Sequence, residues 1–227
     1  RLEIKKGIPI SAGMGGSAAS AVGAVVGASA LLNQPLDRWD ILRFALHGEE
    51  LTSGSSPHSD NIAPCLFGGI QLSYRDQWIG TVPFPQEVLC VLVHPNIKIE
   101  TKMARDILEK SVPLGKHVSQ MARLAGFLLG CTSGERGLIQ NNLRDEIIEP
   151  QRQKLIPGFR SIQNAAFCLG AWGCSISGSG PSVFALVDDK VKAEEIRLEI
   201  ITQFEIEGIE AESWISPISK EGARVLL

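Results

Sequence analysis

No run of basic residues breaks this 227-residue chain, whose formal net charge is −3, so nucleic acid is an unfavoured partner. No apolar stretch reaches the ~20 residues of a membrane span, and the sequence as given carries no signal-peptide pattern. Its five cysteines, at positions 65, 90, 131, 168 and 174, show neither CxxC spacing nor the density of a disulfide scaffold. Reduced thiols in a cytoplasmic protein are the expectation. The His residues lack the spacing of a zinc site. There is no internal repeat. What is present is a chain that is 44% hydrophobic, enough for one large or two small cores.

The stretch IPISAGMGGSAASAVGAVV places Gly13, Gly15 and Gly16 ahead of small apolar residues at helical spacing. A helix is expected from Ser17 to about Leu32. Glycines leave backbone amides uncovered, and the first turn of a helix presents unpaired N–H groups with the positive end of the dipole. A phosphate cradle and a Ser-capped core helix are both compatible with this pattern. Two better-known phosphate loops are excluded. A Walker loop needs a Lys, and none lies between Gly7 and Arg38. The dinucleotide fingerprint is met formally by Gly13, Gly15 and Ala18, yet a second helix follows instead of a strand, capped by Asp37, with Trp39, Leu42, Phe44, Ala45 and Leu46 as its apolar face.

The remaining chain reads as a loop over TSGSSPHSDNIAPCLFGG, a strand IQLSY, a break at residues 81–86, a buried strand at 88–94, and helices at 101–110, 116–131, 135–142 and 158–171. Phe159, Ile162, Ala166 and Leu169 form the stripe of the last of these. Strands GCSIS and SVFALVD flank SGSGP, and a helix at 191–204 precedes the strand GIEAESWIS. The opening RLEIKKGI also reads as a strand, with a preceding segment expected before Arg1. The boundary near 81–86 divides the chain into domains of 1–83 and 84–227.

Chemistry-bearing side chains gather in three further places. GEELTSGSSPHSDN carries Glu49, Glu50, His58, Asp60 and Asn61. A carboxylate beside a Ser hydroxyl suits Mg²⁺, while helix surface and turn formation explain the same residues equally well. HPNIKIETKMARDIL sets Thr101 and Arg105 four apart on one helix face, and IIEPQRQKLIPGF places Arg152 two residues after a proline. SISGSGPSVFAL makes a tight turn at Gly178, Gly180 and Pro181.

In this order the clusters resemble the GHMP kinases. PISAGMGGSAAS is similar to their ATP loop, and HSDNIAPCLFGG, HPNIKIETKMAR, EPQRQKLIPGF and SGSGPSVFAL resemble the motifs of homoserine kinases in turn. Departures are Gly16 in place of the first Ser of a pair, Gln151 where an aromatic is usual, and an extra residue near Ser56.

The resemblance implies an α+β fold with a phosphate-loop domain and a ferredoxin-like C-terminal domain. It implies phosphorylation of L-homoserine by ATP in threonine biosynthesis, with Mg²⁺ and a homodimer. The ATP loop is then Pro9, Ile10, Ser11, Ala12, Gly13, Met14, Gly15, Gly16, Ser17, Ala18 and Ala19. Ser17 and Glu49 hold the metal, with Glu50 the fallback. Catalysis falls to Arg105, Asn61 and Glu49, and substrate binding to His58, Asp60, Asn61, Thr101, Arg105, Arg152, Gly178 and Gly180. A branched residue at Gly13 or Gly15 is expected to remove nucleotide binding and leave the fold intact. Another GHMP-type kinase and a non-catalytic metabolite-binding protein are the alternatives.

Overall fold

The computed structural model describes residues 1–53, 59–74 and 77–226. The chain divides into two compact units. One comprises Arg1–Ile10, Gly15–Phe84 and Ser219–Leu227, and the other Ser11–Met14 and Pro85–Ile218.

The first unit packs three helices beside a hairpin. Helix α1 (Gly16–Ser29) consists of small residues and buries Ala18 and Val22. It stops short of Leu32 because the amides of Leu31 and Leu32 turn back to the carbonyls of Ala28 and Ser29, while the Ser29 hydroxyl accepts from the Leu36 amide. Helix α2 (Arg38–Ser53) is entered through Asp37, whose carboxylate accepts from the Asp40 amide at 2.8 Å. Its buried face is Ile41, Leu42, Ala45 and Leu46; Trp39 and Phe44, expected on that face, are 45% and 57% exposed. The two aromatics lie off the stripe that i, i+1, i+4 and i+5 define.

The segment expected as a loop contains helix α3 (Ser59–Phe67), which buries Ile62 and Leu66 against α1 and α2. Pro64 inside it has no N–H to give the carbonyl four residues back, yet burial of one face holds the helix. Strands β1 (Ile70–Tyr74) and β2 (Trp78–Val82) form an antiparallel hairpin. The second strand was hidden in the sequence by the adjoining TVPFPQ. Residues 1–7 form no strand, contrary to expectation; no other strand pairs with them among the described residues, and extended backbone needs such a partner.

The second unit is a four-stranded antiparallel sheet with helices against it. In chain order it has β3 (Leu89–Pro95), α4 (Thr101–Asp106), α5 (Leu114–Ser133), α6 (Arg136–Asn142), the short α7 (Glu149–Arg152), α8 (Phe159–Cys168), β4 (Gly173–Ile176), β5 (Val183–Val187), α9 (Lys190–Ile206) and β6 (Ala211–Pro217). The strand order β4-β5-β3-β6 is that of a ferredoxin-like sheet. Val91, Val93, Val183, Ala185 and Val187 meet Phe159, Ile162 and Ala166 of α8 and Ile196, Ile200 and Phe204 of α9 in one core. Each large side chain buried there contributes about 1.5–3 kcal/mol. Asp189 starts α9 by accepting from the Lys192 amide at 2.9 Å.

Candidate active site

The glycine stretch is shared between the units, with Ser11–Met14 in the second and Gly15 onward in the first. Within the second unit, residues 12–13 cross the turn between β4 and β5 backbone against backbone. The Ser177 hydroxyl donates to the Gly13 carbonyl at 2.9 Å, and the Ser182 amide to that of Ala12 at 3.4 Å. Gly13 has φ +73°, and a Cβ there would stand 2.3 Å from the Ser177 carbonyl oxygen and 2.7 Å from that of Gly180. Gly178, at φ +56°, returns the constraint, since its Cβ would lie 2.9 Å from the Gly13 carbonyl. Gly13 is therefore glycine because two backbones touch, which corrects the expectation that substituting it would spare the fold.

In the first unit Gly15 caps α1 in the left-handed conformation (φ +69°, ψ 25°), and no side chain caps the helix. The Ser-capped alternative is thereby set aside. The first described backbone bond of this turn runs from the Ala19 amide to the Gly15 carbonyl, leaving the amides before it without a partner inside the helix. Ser17, on this turn, donates its hydroxyl to Glu49 Oε1 at 2.8 Å, joining residues 32 apart in sequence. Glu50 instead faces His47, at 3.8 Å. Asn61 sits beside Gly15, its Oδ1 3.3 Å from where a Cβ would be, and its backbone N–H donates to the Asp60 carboxylate at 3.1 Å. Asp60 and Asn61 stand in the first turn of α3 rather than in a loop. His58 lies outside the described residues.

In the second unit α4 opens at Thr101 and carries Arg105 in its last turn. Arg152 ends α7, donating Nε to the Ala104 carbonyl at 3.1 Å and Nη1 to the Gly178 carbonyl at 3.0 Å. A guanidinium has five N–H groups, so the fork keeps donors to spare. Burial depresses the Arg152 pKa; Asp145 opposes that shift and the charge of Arg105 adds to it. Two guanidinium groups close enough to feel each other favour an anion as their common neighbour. Sequence reasoning missed Ser177 and the carboxylates of Asp145 and Glu149. The Ser that opens SGSGP was a signal for the first and the first position of EPQRQKLIPGF one for Glu149; Asp145 had no local one.

Among the described residues no three His, Cys, Asp or Glu gather as a metal cluster. One carboxylate with one hydroxyl, Glu49 with Ser17, still fits Mg²⁺, which keeps waters and takes phosphate oxygens as its other ligands.

Residues 1–69 match the GHMP kinases N terminal domain, and residues 132–206 the GHMP kinases C terminal family. With a helix entered through a left-handed glycine, these matches define the molecule as a GHMP kinase. The homoserine kinase of Chlorobium phaeobacteroides (strain DSM 266) is 41% identical over 229 residues, covering 99% of this chain and 71% of that protein. That of Xylella fastidiosa (strain 9a5c) is 44% identical over 225 residues, covering 99% and 69%. The crystal structure of homoserine kinase from Cytophaga hutchinsonii superposes with a TM-score of 0.91 at 38% identity, over 96% of this chain and 69% of that one. The L. major mevalonate kinase, at 17% identity and TM-score 0.61 over 99% of this chain and 69% of that one, shares the fold alone. Within the GHMP kinases, the chain belongs to the homoserine kinase family.

Proposed function

We propose that the protein transfers the γ-phosphoryl group of ATP to the side-chain hydroxyl of L-homoserine, forming ADP and O-phospho-L-homoserine for threonine biosynthesis. An O–P bond forms at the homoserine oxygen while the bond from γ-phosphorus to the bridging oxygen of ADP breaks, and the hydroxyl proton leaves to phosphate oxygen or water. Through a loose transition state little covalent work is asked of the protein, and positioning with charge stabilisation supplies most of the acceleration. The amides at the start of α1 hold the triphosphate. Ser17 and Glu49 are the ligands that would hold Mg²⁺, whose chemistry is to neutralise charge on the phosphates. Arg105 meets charge that develops during transfer, Arg152 pairs with the amino acid's carboxylate, and Thr101, His58, Asp60 and Asn61 orient the substrate. A homodimer in the cytoplasm completes the reading, and no helix among the described residues is long and apolar enough to cross a membrane.

The observation that most supports this reading is the 2.8 Å bond from Ser17 to Glu49 at a helix end opened by a left-handed glycine. A coupled ADP-release assay with homoserine, mevalonate and galactose in parallel tests it. Homoserine alone should drive ADP formation; nucleotide binding without turnover would support the non-catalytic alternative. Arg105→Ala should lower kcat on the order of 10³-fold with little change in homoserine KM. Arg152→Ala should raise that KM by the equivalent of about 2–3 kcal/mol while largely sparing kcat. The opposite pattern would exchange the two roles.

A further inference from the structure

Helix α7 has four residues, too few to hold its shape by backbone bonds alone, yet it carries Arg152. Side chains supply what length does not. The Asp145 carboxylate accepts from the amides of Ile147 and Ile148, each at 2.8 Å, and of Glu149 at 3.1 Å. Glu149 then ties the helix to two other elements. Its Oε2 accepts a short hydrogen bond from the Ser175 hydroxyl on β4, and its Oε1 accepts from Gln163 Nε2 on α8 at 2.9 Å. The Gln163 amide group is itself fixed by donating to the Cys174 carbonyl at 2.8 Å.

Arg152 follows Glu149 by three residues, the spacing that stacks side chains on one helix face. Ser175, which Glu149 grips, precedes by three residues Gly178, whose carbonyl Arg152 grips. Helix α7 is thus fastened at both ends to the same stretch of chain, by a carboxylate at its first residue and by a guanidinium at its last. Without Glu149 the helix would keep the Asp145 cap and the Gln151 side chain, which accepts from the Glu109 amide at 2.7 Å, but would lose its tie to β4 and α8.

We infer that Glu149 is a positioning residue for Arg152, clamping α7 onto β4 and α8 so that the guanidinium fork presents its remaining donors at a fixed place and angle to the carboxylate of the amino-acid substrate. The inference rests on the proposed carboxylate-binding role of Arg152. A planar fork binds a carboxylate through two parallel bonds, so small rotations of its carrier weaken both together. The clamp acts on substrate capture and has no part in the phosphoryl group's charge, so its loss raises homoserine KM and spares kcat and the KM for ATP. The proximity of the Glu149 charge is also felt at Cys174, whose thiol burial and then Glu149 push up to about 12.

The experiment is a double-mutant cycle on the full chain, read as KM and kcat for homoserine and KM for ATP. Glu149→Gln keeps the volume of the side chain but removes its charge and leaves one acceptor oxygen where the carboxylate uses two; it should raise homoserine KM about tenfold, the size of one lost hydrogen bond to a charged group. Ser175→Ala removes one donor and should raise the same KM about threefold, which provides the reading if the Glu149 variant does not fold. Arg152→Ala should raise it more, and adding Glu149→Gln to Arg152→Ala should raise it no further. Lower kcat together with raised KM for both substrates, or full additivity in the Arg152→Ala background, would make Glu149 a general structural residue and overturn the inference. If Arg152→Ala raises homoserine KM while Glu149→Gln and Ser175→Ala do not, the inference fails and the role of Arg152 stands. An unchanged KM for Arg152→Ala would instead remove the carboxylate-binding assignment itself.

Discussion

Gly13 and Gly15 stand two residues apart with nearly the same left-handed backbone, φ +73° and +69°, but their surroundings differ. Around Gly13 the neighbours are carbonyl oxygens and an amide of another stretch of backbone, which cannot step aside. Around Gly15 the nearest atoms belong to the end of the Asn61 side chain, which can. The first glycine is demanded by packing within its unit, the second by the entry to a helix whose amides must stay uncovered. Equal dihedral angles thus conceal different reasons for the same residue, and substitution separates them.

The largest effect is expected at Gly13. Gly13→Ala forces a Cβ to 2.3 Å from the Ser177 carbonyl oxygen on top of the left-handed strain, and should destabilise on the order of 4 kcal/mol in urea unfolding, or prevent folding altogether. A loss under about 1 kcal/mol would show that the two backbones separate readily and would erase the contrast with Gly15. Next is Gly15→Ala, which should cost about 1–2 kcal/mol of stability for the left-handed conformation and weaken ATP binding more than tenfold in a calorimetric titration, the new methyl crowding the open amides. Unchanged affinity would reduce Gly15 to a helix entry.

Ser17→Ala probes the helix end itself. With the hydroxyl beside Glu49 removed, Mg-ATP use should fall about tenfold while ADP binding falls less. Equal losses for both nucleotides would count against a metal role for the pair.

The smallest effect belongs to the backbone crossing near Gly13. His94 Nδ1 lies 3.0 Å from the hydroxyl of buried Ser182, the residue whose amide reaches the Ala12 carbonyl. Burial lowers the His94 pKa and Glu212 partly offsets this. A histidine with its pKa depressed on folding binds more protons when unfolded, so its contribution is fully present above the unfolded value of about 6.5 and declines as pH falls through that value toward the folded one. Thermal unfolding between pH 7.5 and 5 should show this loss, well under about 1 kcal/mol after solvent screening, and His94→Gln should flatten it. An acid profile unaltered by that variant would leave His94 without influence on the crossing.

The sequence made parts of this arrangement legible and hid others for identifiable reasons. Strands such as VLCVLVH and VFALV could be read because they are continuous apolar runs, their alternate residues Val91, Val93, Val183, Ala185 and Val187 buried in the core. The face of α8 was legible from its spacing, and Phe159, Ile162 and Ala166 are buried. Helix α3 was not, because Ser59, Asp60, Asn61 and Pro64 are turn formers by local preference and only packing of Ile62 and Leu66 overrides them. Helix α7 was illegible for a related reason: its shape depends on Asp145, Gln163 and Ser175, two of them more than ten residues away. At the candidate site, Glu49 could be preferred to Glu50 by resemblance, whereas nothing in the local sequence distinguishes a glycine that opens a helix from one that lets two backbones touch.

The bond from Ser177 to the Gly13 carbonyl spans 164 residues of chain. During synthesis at about 5–20 residues per second, Gly13 is made roughly 8–30 seconds before the hydroxyl that will hold it. Closing so long a loop carries more entropy loss than closing a hairpin, though the penalty grows only with the logarithm of length. The 11–14 stretch of the second unit therefore cannot be fixed until the β4–β5 turn has been made. The opening of the glycine loop is made early on the ribosome and takes its final backbone conformation late.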